Sequence, residues 1–223
     1  MPLLSFYSQD RDCSVALKVK DQIYQDTVLL SSNTTQAKVF IPLIQKVWDQ
    51  AGKPVPSVLM TARGPGAFTS LRVTLAAAQG LSLAFDRARL FAPTHFDVLY
   101  DAGRQQTPAP LLVLIDSKRG DWYGRIYKEN SLSQPFLTTE TQIFQKENLK
   151  DFLKDHSEYK IIADFEMDET FAPFIISRPV NLALHQLNLY ENPLLQSLWE
   201  KQPDYQTFEP FYFYDPVYAK KIK

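Results

Sequence analysis

The segment from Arg63 to Phe85, RGPGAFTSLRVTLAAAQGLSLAF, places a Gly-Pro-Gly turn directly ahead of a long stretch of helical periodicity. Pro65 fixes its own φ, and Gly64 and Gly66 accept backbone conformations closed to other residues, so the chain must bend there. Phe68, Leu71, Leu75, Ala78, Leu81 and Phe85 then recur every three or four residues, which predicts a helix with one apolar stripe. Thr69 and Ser70 stand where side chains can cap its free amides. Ala76, Ala77, Ala78 and Gly80 keep one flank thin, so another backbone can approach, either the chain's own sheet or a partner. A helix start behind a glycine turn is also a candidate anion site, here Gly64, Gly66, Thr69, Ser70 and Arg72. Without the lysine of a phosphate-binding loop, a purely structural turn is the simpler reading.

Around this segment the pattern is α/β. Leu3 to Tyr7, Cys13 to Val19 and Gln22 to Leu30 read as a three-stranded antiparallel meander, rich in β-branched and aromatic residues and parted by polar turns. A helix is predicted over Thr35 to Ala51, with Phe40, Leu43, Ile44 and Val47 on one face and Gly52 closing it. Ser57 to Thr61 reads as a buried strand, Leu90 to Ala92 as another, and Pro93 to Ala102 as a helix. Gln105 to Pro110, with two prolines and no apolar period, is the natural hinge. The pattern then restarts: strands at Leu111 to Ile115, Asp121 to Lys128 and Phe136 to Ile143, a helix at Lys146 to Lys154, a strand at Lys160 to Ala163 and a late helix at Pro193 to Lys201. Two copies of strand, strand, strand, helix, strand, helix imply two ribonuclease-H-like lobes, residues 1–106 and 107–223.

A formal charge of −1 over 223 residues gives no global attraction to nucleic acid or anionic membrane. The single cysteine, Cys13, cannot form an internal bridge, no apolar run approaches the roughly twenty residues of a membrane span, and the start lacks a leader pattern. A cytoplasmic protein that does not enter membranes is expected. His95, His156 and His185 are isolated, without a second ligand at helical spacing, so no metal site is expected. GxSxG is absent, as is any Cys–His arrangement visible around Cys13. Asp10 and Asp12 read as solvated turn carboxylates. The aromatic run Tyr205, Phe208, Phe211, Tyr212, Phe213, Tyr214 and Tyr218 has no interleaved basic residues and reads as a packing tail rather than a base-stacking platform.

GPGAFTSLR, with the small-residue helix and AQGL behind it, closely resembles the GPGSFTGLR stretch of the bacterial TsaB (YeaZ) family. Cys13 to Leu17 (CSVAL), Ile41 to Ile44 (IPLI), Ile115 to Tyr123 (IDSKRGDWY) and Pro216-Val217-Tyr218 follow in the family's order. The resemblance implies the actin-like ATPase superfamily fold, in agreement with the doubled pattern. It further implies a non-catalytic scaffold subunit required with TsaD and TsaE for N6-threonylcarbamoylation of the adenosine beside the anticodon. TsaD would be the heterodimer partner and carry ATP and metal, TsaE would complete a ternary complex, a homodimer is possible, and tRNA would be met through the complex. Carried over as partner-binding positions are Phe40, Leu43, Ile44 and Val47, and Leu71, Leu75, Ala78 and Leu81. The sequence departs from the family at Gln36-Ala37-Lys38 and at Ser70.

The same resemblance locates where chemistry would sit. Active superfamily members end the first strand in Asp, where this chain has Tyr7, followed by Ser8-Gln9-Asp10-Arg11-Asp12 without glycine. Asp116 occupies the place where a second phosphate loop would begin and is the best single candidate for a relic, although Lys118 and Arg119 beside it, with Gly120 for the turn, more simply form a solvated basic hairpin tip; Ala163-Asp164-Phe165 lacks adenosine-loop glycines. The alternatives are an ATP-binding phosphotransferase or ATPase of the same fold, in which Asp116 and Asp10 would hold Mg²⁺, and a peptidase, after the older glycoprotease label of relatives.

Overall fold

A computed structural model describes residues 1–9, 11–31, 35–86, 88–128 and 140–193. Asp10, the predicted helix at Pro193 to Lys201 beyond its first residue, the aromatic tail, Pro216-Val217-Tyr218 and the first half of the expected strand Phe136 to Ile143 lie outside the described residues.

Two sheets repeat one plan. In the first, β1 (Leu3–Gln9), β2 (Asp12–Val19) and β3 (Gln22–Leu29) form the predicted antiparallel meander, and β4 (Val58–Met60) and β5 (Arg89–Phe91) extend it in parallel beside β1, giving the order β3-β2-β1-β4-β5. In the second, β6 (Leu111–Asp116), β7 (Trp122–Tyr127) and β8 (Gln142–Phe144) form the meander and β9 (Lys160–Ala163) runs parallel to β6, giving β8-β7-β6-β9. Each sheet thus has the ribonuclease-H-like arrangement expected from the doubled pattern.

Period-two alternation in the central strands sorts side chains into three apolar layers. Leu4 and Phe6 of β1 face α1 (Gln36–Gln50) and α2 (Phe68–Ala84), whereas Leu3 and Tyr7 face a middle layer. Leu111, Val113 and Ile115 of β6 join that middle layer, and Leu112 and Leu114 face α4 (Lys146–Asp155) on the far side. The middle layer is built from α3 (His95–Arg104) and α5 (Leu182–Glu191).

Local chemistry accounts for the helix ends. Thr94 and Asp97 close a reciprocal capping box at the start of α3. At the end of α1, Gly52 takes φ +78 and donates to Asp49, while Lys53 donates to Trp48, satisfying the last carbonyls. The start of α2 differs from expectation: the cap position is Ala67, and neither Thr69 nor Ser70, both inside the first turn, caps it.

The pattern missed α5. It comes late in the chain yet packs on β1 and β2 of the first sheet. Ser14 Oγ accepts from the Ala183 N–H at 3.1 Å, Ser5 Oγ donates to the Ala183 carbonyl at 2.7 Å, and Asn181 caps the helix. Between α3 and α5, the wholly buried Asp101 takes hydrogen bonds from Arg104 and Gln105 and lies 2.8 Å from His185 Nδ1.

Phe40 is fully buried and meets Phe6 edge to face at 5.6 Å between ring centroids. Phe40→Ala is expected to lower stability by about 3–5 kcal/mol in denaturant unfolding. The loss should be independent of protein concentration, because the pocket belongs to the monomer.

Candidate functional site

The carboxyl ends of β1, β6 and β9 converge on the seam between the two sheets. Tyr7, inside β1 rather than at its end, is buried and hydrogen-bonds through its hydroxyl to His95 Nε2. His95 Nδ1 lies 3.0 Å from the Pro65 carbonyl. Burial, then the nearby Arg178, pushes His95 down to about 3, so the ring is neutral: Nδ1–H donates to Pro65 and Nε2 accepts from Tyr7. The 3.9 Å approach of Asp164 to Nδ1 is therefore not an ion pair. Burial also raises the Tyr7 hydroxyl well above its usual range, and it stays protonated.

Arg178 crosses the seam. It meets Asp12 through two nitrogens, at 2.7 and 3.1 Å, with Asp12 almost fully buried and the Arg178 side chain 12% exposed. Burial opposes the guanidinium's charge, but Tyr7, Asp12 and Asp164 more than offset it and raise Arg178 above its ordinary value. The expectation that Asp12 is a solvated turn carboxylate is thus corrected: it is the buried half of an interlobe pair. At the rim Arg11 reaches Glu166 at 2.5 Å.

Asp116 is tied into its own hairpin. Its Oδ1 accepts the Lys118 N–H at 2.7 Å and its Oδ2 accepts Lys118 Nζ at 2.9 Å, while its backbone N–H donates to Asp164 Oδ1 at 2.9 Å. Gly120 and Lys118 both take positive φ there, as a tight turn requires. Beside these groups lies a cavity of about 250 Å³ lined by Gln9, Arg11, Lys118, Asp164, Phe165 and Glu166. Among the described residues no group of three or more His, Cys, Asp or Glu could hold a metal ion, and no helix is long and apolar enough to cross a membrane.

At the Gly-Pro-Gly turn, Gly64 has φ +110 and its carbonyl accepts the His95 N–H at 2.7 Å. A Cβ on Gly66 would stand 2.6 Å from Gln9 Oε1, and that same oxygen accepts the Ala67 N–H at 3.3 Å. The side chain of Gln9 therefore takes the place at the start of α2 that an anion would need. Thr69 is exposed, Ser70 is buried with its carbonyl accepting from Thr74, and Arg72 lies 3.9 Å above the Phe68 ring, so these residues do not converge on a common point.

The eight positions carried over as partner-binding need correction. Phe40, Leu43, Ile44, Val47, Leu71, Leu75 and Ala78 are all buried in the chain's own layers, and Leu81 is half-buried against them. The stripe legible in the sequence is the one that faces the sheet, because burying it there removes its apolar area from water in the monomer. The outer faces of α1 and α2 present other residues: Ile41 at 53% and Leu83 at 62% exposure, with Ala76 and Gly80 also exposed on α2 and open space beside Gly80.

Doubled ribonuclease-H-like sheets with a seam between them define an α/β chain of the actin-like ATPase fold. Two solved YeaZ-type structures from Pseudomonas aeruginosa share it: one, described as similar to peptidase YeaZ, at TM-score 0.68 and 18% identity over 95% of this chain and 98% of that one, the other at TM-score 0.65 and 20% over 95% and 99%. In sequence, the family described as TsaD, tRNA N6-adenosine threonylcarbamoyltransferase, matches residues 33–133. The tRNA threonylcarbamoyladenosine biosynthesis protein TsaB of Escherichia coli K12 is 26% identical over 58% of this chain, and that of Buchnera aphidicola 31% over 59%. The matches span 56% and 63% of those two proteins' lengths. The sequence likeness is thus to TsaB proteins over little more than half of their length, and the likeness to the YeaZ-type structures is one of fold.

Two outcomes test the site's geometry. Arg178→Ala, which strands Asp12 in the seam, should cost about 3–5 kcal/mol in denaturant unfolding, and Arg178→Lys should recover little of it because a single ammonium cannot pair in two places. Gly66→Ala should cost about 1 kcal/mol by displacing Gln9, and be close to neutral in a Gln9→Ala background, a coupling that a double-mutant cycle reads directly.

Proposed function

We propose that this chain is a non-catalytic subunit of tRNA N6-threonylcarbamoyladenosine biosynthesis, acting with a TsaD partner and with TsaE on the adenosine beside the anticodon. The observation that carries the reading is that the charged and polar groups at the seam are engaged with one another: Asp12 with Arg178, Asp116 with Lys118, Tyr7 with His95. Such groups leave little to grip a phosphate chain, so ATP and metal belong on the TsaD partner, and tRNA is met through the complex. The name of the two curated relatives, TsaB, supports the pathway.

What the chain offers in place of chemistry is surface. The outer flank of α1 and α2, with Ile41, Pro42, Ala76, Gly80 and Leu83 uncovered, is thin enough for a facing helix pair to come close, and is assigned to TsaD or, without it, to a second copy. The first lobe, residues 1–106, is the partner-binding lobe in this reading.

Reconstitution tests it. With cognate TsaD, TsaE and the threonylcarbamoyl-adenylate donor, tRNA modification should require this protein. Gly80→Arg combined with Leu83→Glu should abolish co-elution with TsaD while shifting monomer stability by less than about 1 kcal/mol, since both sites are exposed. Undiminished modification with the protein omitted overturns the proposal.

A further inference from the structure

Just past the end of β9, the Asp164 carboxyl meets charged and polar groups from the elements around the seam. Tyr7 and Gln9 approach from β1, Arg11 and Asp12 from the start of β2, His95 from α3, Asp116 and Lys118 from β6 and its hairpin, and Arg178 from the segment leading to α5, with Glu166 just beyond. Oδ1 is anchored by the Asp116 N–H at 2.9 Å. Oδ2 stands 3.9 Å from His95 Nδ1, whose hydrogen is given to Pro65. The cations an ionised Asp164 can turn to, Arg178 and Lys118, are already held by Asp12 and Asp116. With Arg11 and Glu166 paired, the rest of the seam holds Asp12, Asp116 and Asp164 against Arg178 and Lys118, and balances only while Asp164 is neutral.

We propose that Asp164 is a proton-operated latch between the two sheets: neutral, it leaves the Arg178–Asp12 and Lys118–Asp116 pairs intact and the seam shut; ionised, it competes for both cations and loosens the seam beside the neighbouring 250 Å³ cavity. Burial is the main cause of its raised value, about 7, against the lowering pull of the Asp116 N–H and Arg178. The sign follows from linkage. The folded chain keeps a proton that the unfolded chain releases near about pH 4, so the latch is fully set below that, weakens as pH climbs, and is released above about 7.

Carboxyl-carbon NMR on the isolated wild-type chain reads the proton on Asp164. Hydrogen exchange at Ile161 and Ile176, whose amides bond the 174–176 segment to β9, reads the seam. The expected results are a carboxyl midpoint between about pH 6 and 8 and, across that range, a roughly tenfold rise in exchange after correction for its intrinsic pH dependence. Asp164→Asn, which keeps an acceptor for the Asp116 N–H, should hold exchange flat. A carboxyl midpoint below about pH 5, or the same exchange profile in both proteins, overturns the latch. Should the variant not fold, the wild-type exchange and carboxyl midpoints must coincide, and a mismatch overturns it equally. No partner enters this test, so it stands or falls apart from the assignment to tRNA modification.

Discussion

The middle layer, α3 against α5, is the constraint on which the rest of the structure depends. Both sheets turn an apolar face toward it: Leu3, Tyr7, Val58 and Met60 from one, Leu111, Val113 and Ile115 from the other. Polar groups fix its position as apolar contact alone would not. Ser5 and Ser14 bond to the backbone at the start of α5, and Asp101 gathers Arg104, Gln105 and His185 at one buried point between the helices. Hydrophobic burial is non-directional; these bonds set the register between lobes, because leaving any of them unmade inside the layer costs the full desolvation of the group.

With that layer fixed, the seam has little slack, and its polar side chains answer one another. A tyrosine at the position of the expected Asp brings a phenol to a neutral imidazole, which in turn steadies the Gly-Pro-Gly turn through Pro65. Gln9 finishes the work by accepting from the amide of Ala67, the residue at the cap of α2. Residues that look unrelated in the sequence thus form one connected structure running from β1 through the turn to α3. A fold associated with phosphate chemistry is here held together by the groups at its centre.

Much of the architecture was legible in the sequence, for identifiable reasons. The meanders announce themselves through β-branched and aromatic runs between polar turns, and α2 through the recurrence of Leu71, Leu75 and Ala78. Asp116 reads correctly as part of a hairpin tip because Lys118 and Gly120 follow it closely. What periodicity does not encode is direction: the stripe on α1 and α2 marks a face to be covered without saying by what, and it is the sheet that covers it. Nor does α5 show a clean stripe, since LALHQLNLYE carries apolar residues around its circumference, as suits a helix packed on both sides. The Asp12–Arg178 pair joins residues 166 positions apart, beyond the reach of any local pattern.

The lateness of α5 also bears on how the chain comes into being. The first sheet is drawn from residues 3–91, yet one face of it is closed by a helix that emerges from the ribosome only after residue 182. Until then Leu3, Val58 and Met60 lack the part of their cover that α5 provides, and Ser5 lacks the Ala183 carbonyl 178 positions away. The amino-terminal half therefore cannot close that face on its own during translation, and the nascent molecule must keep oily surface showing until residues 182–191 have been made.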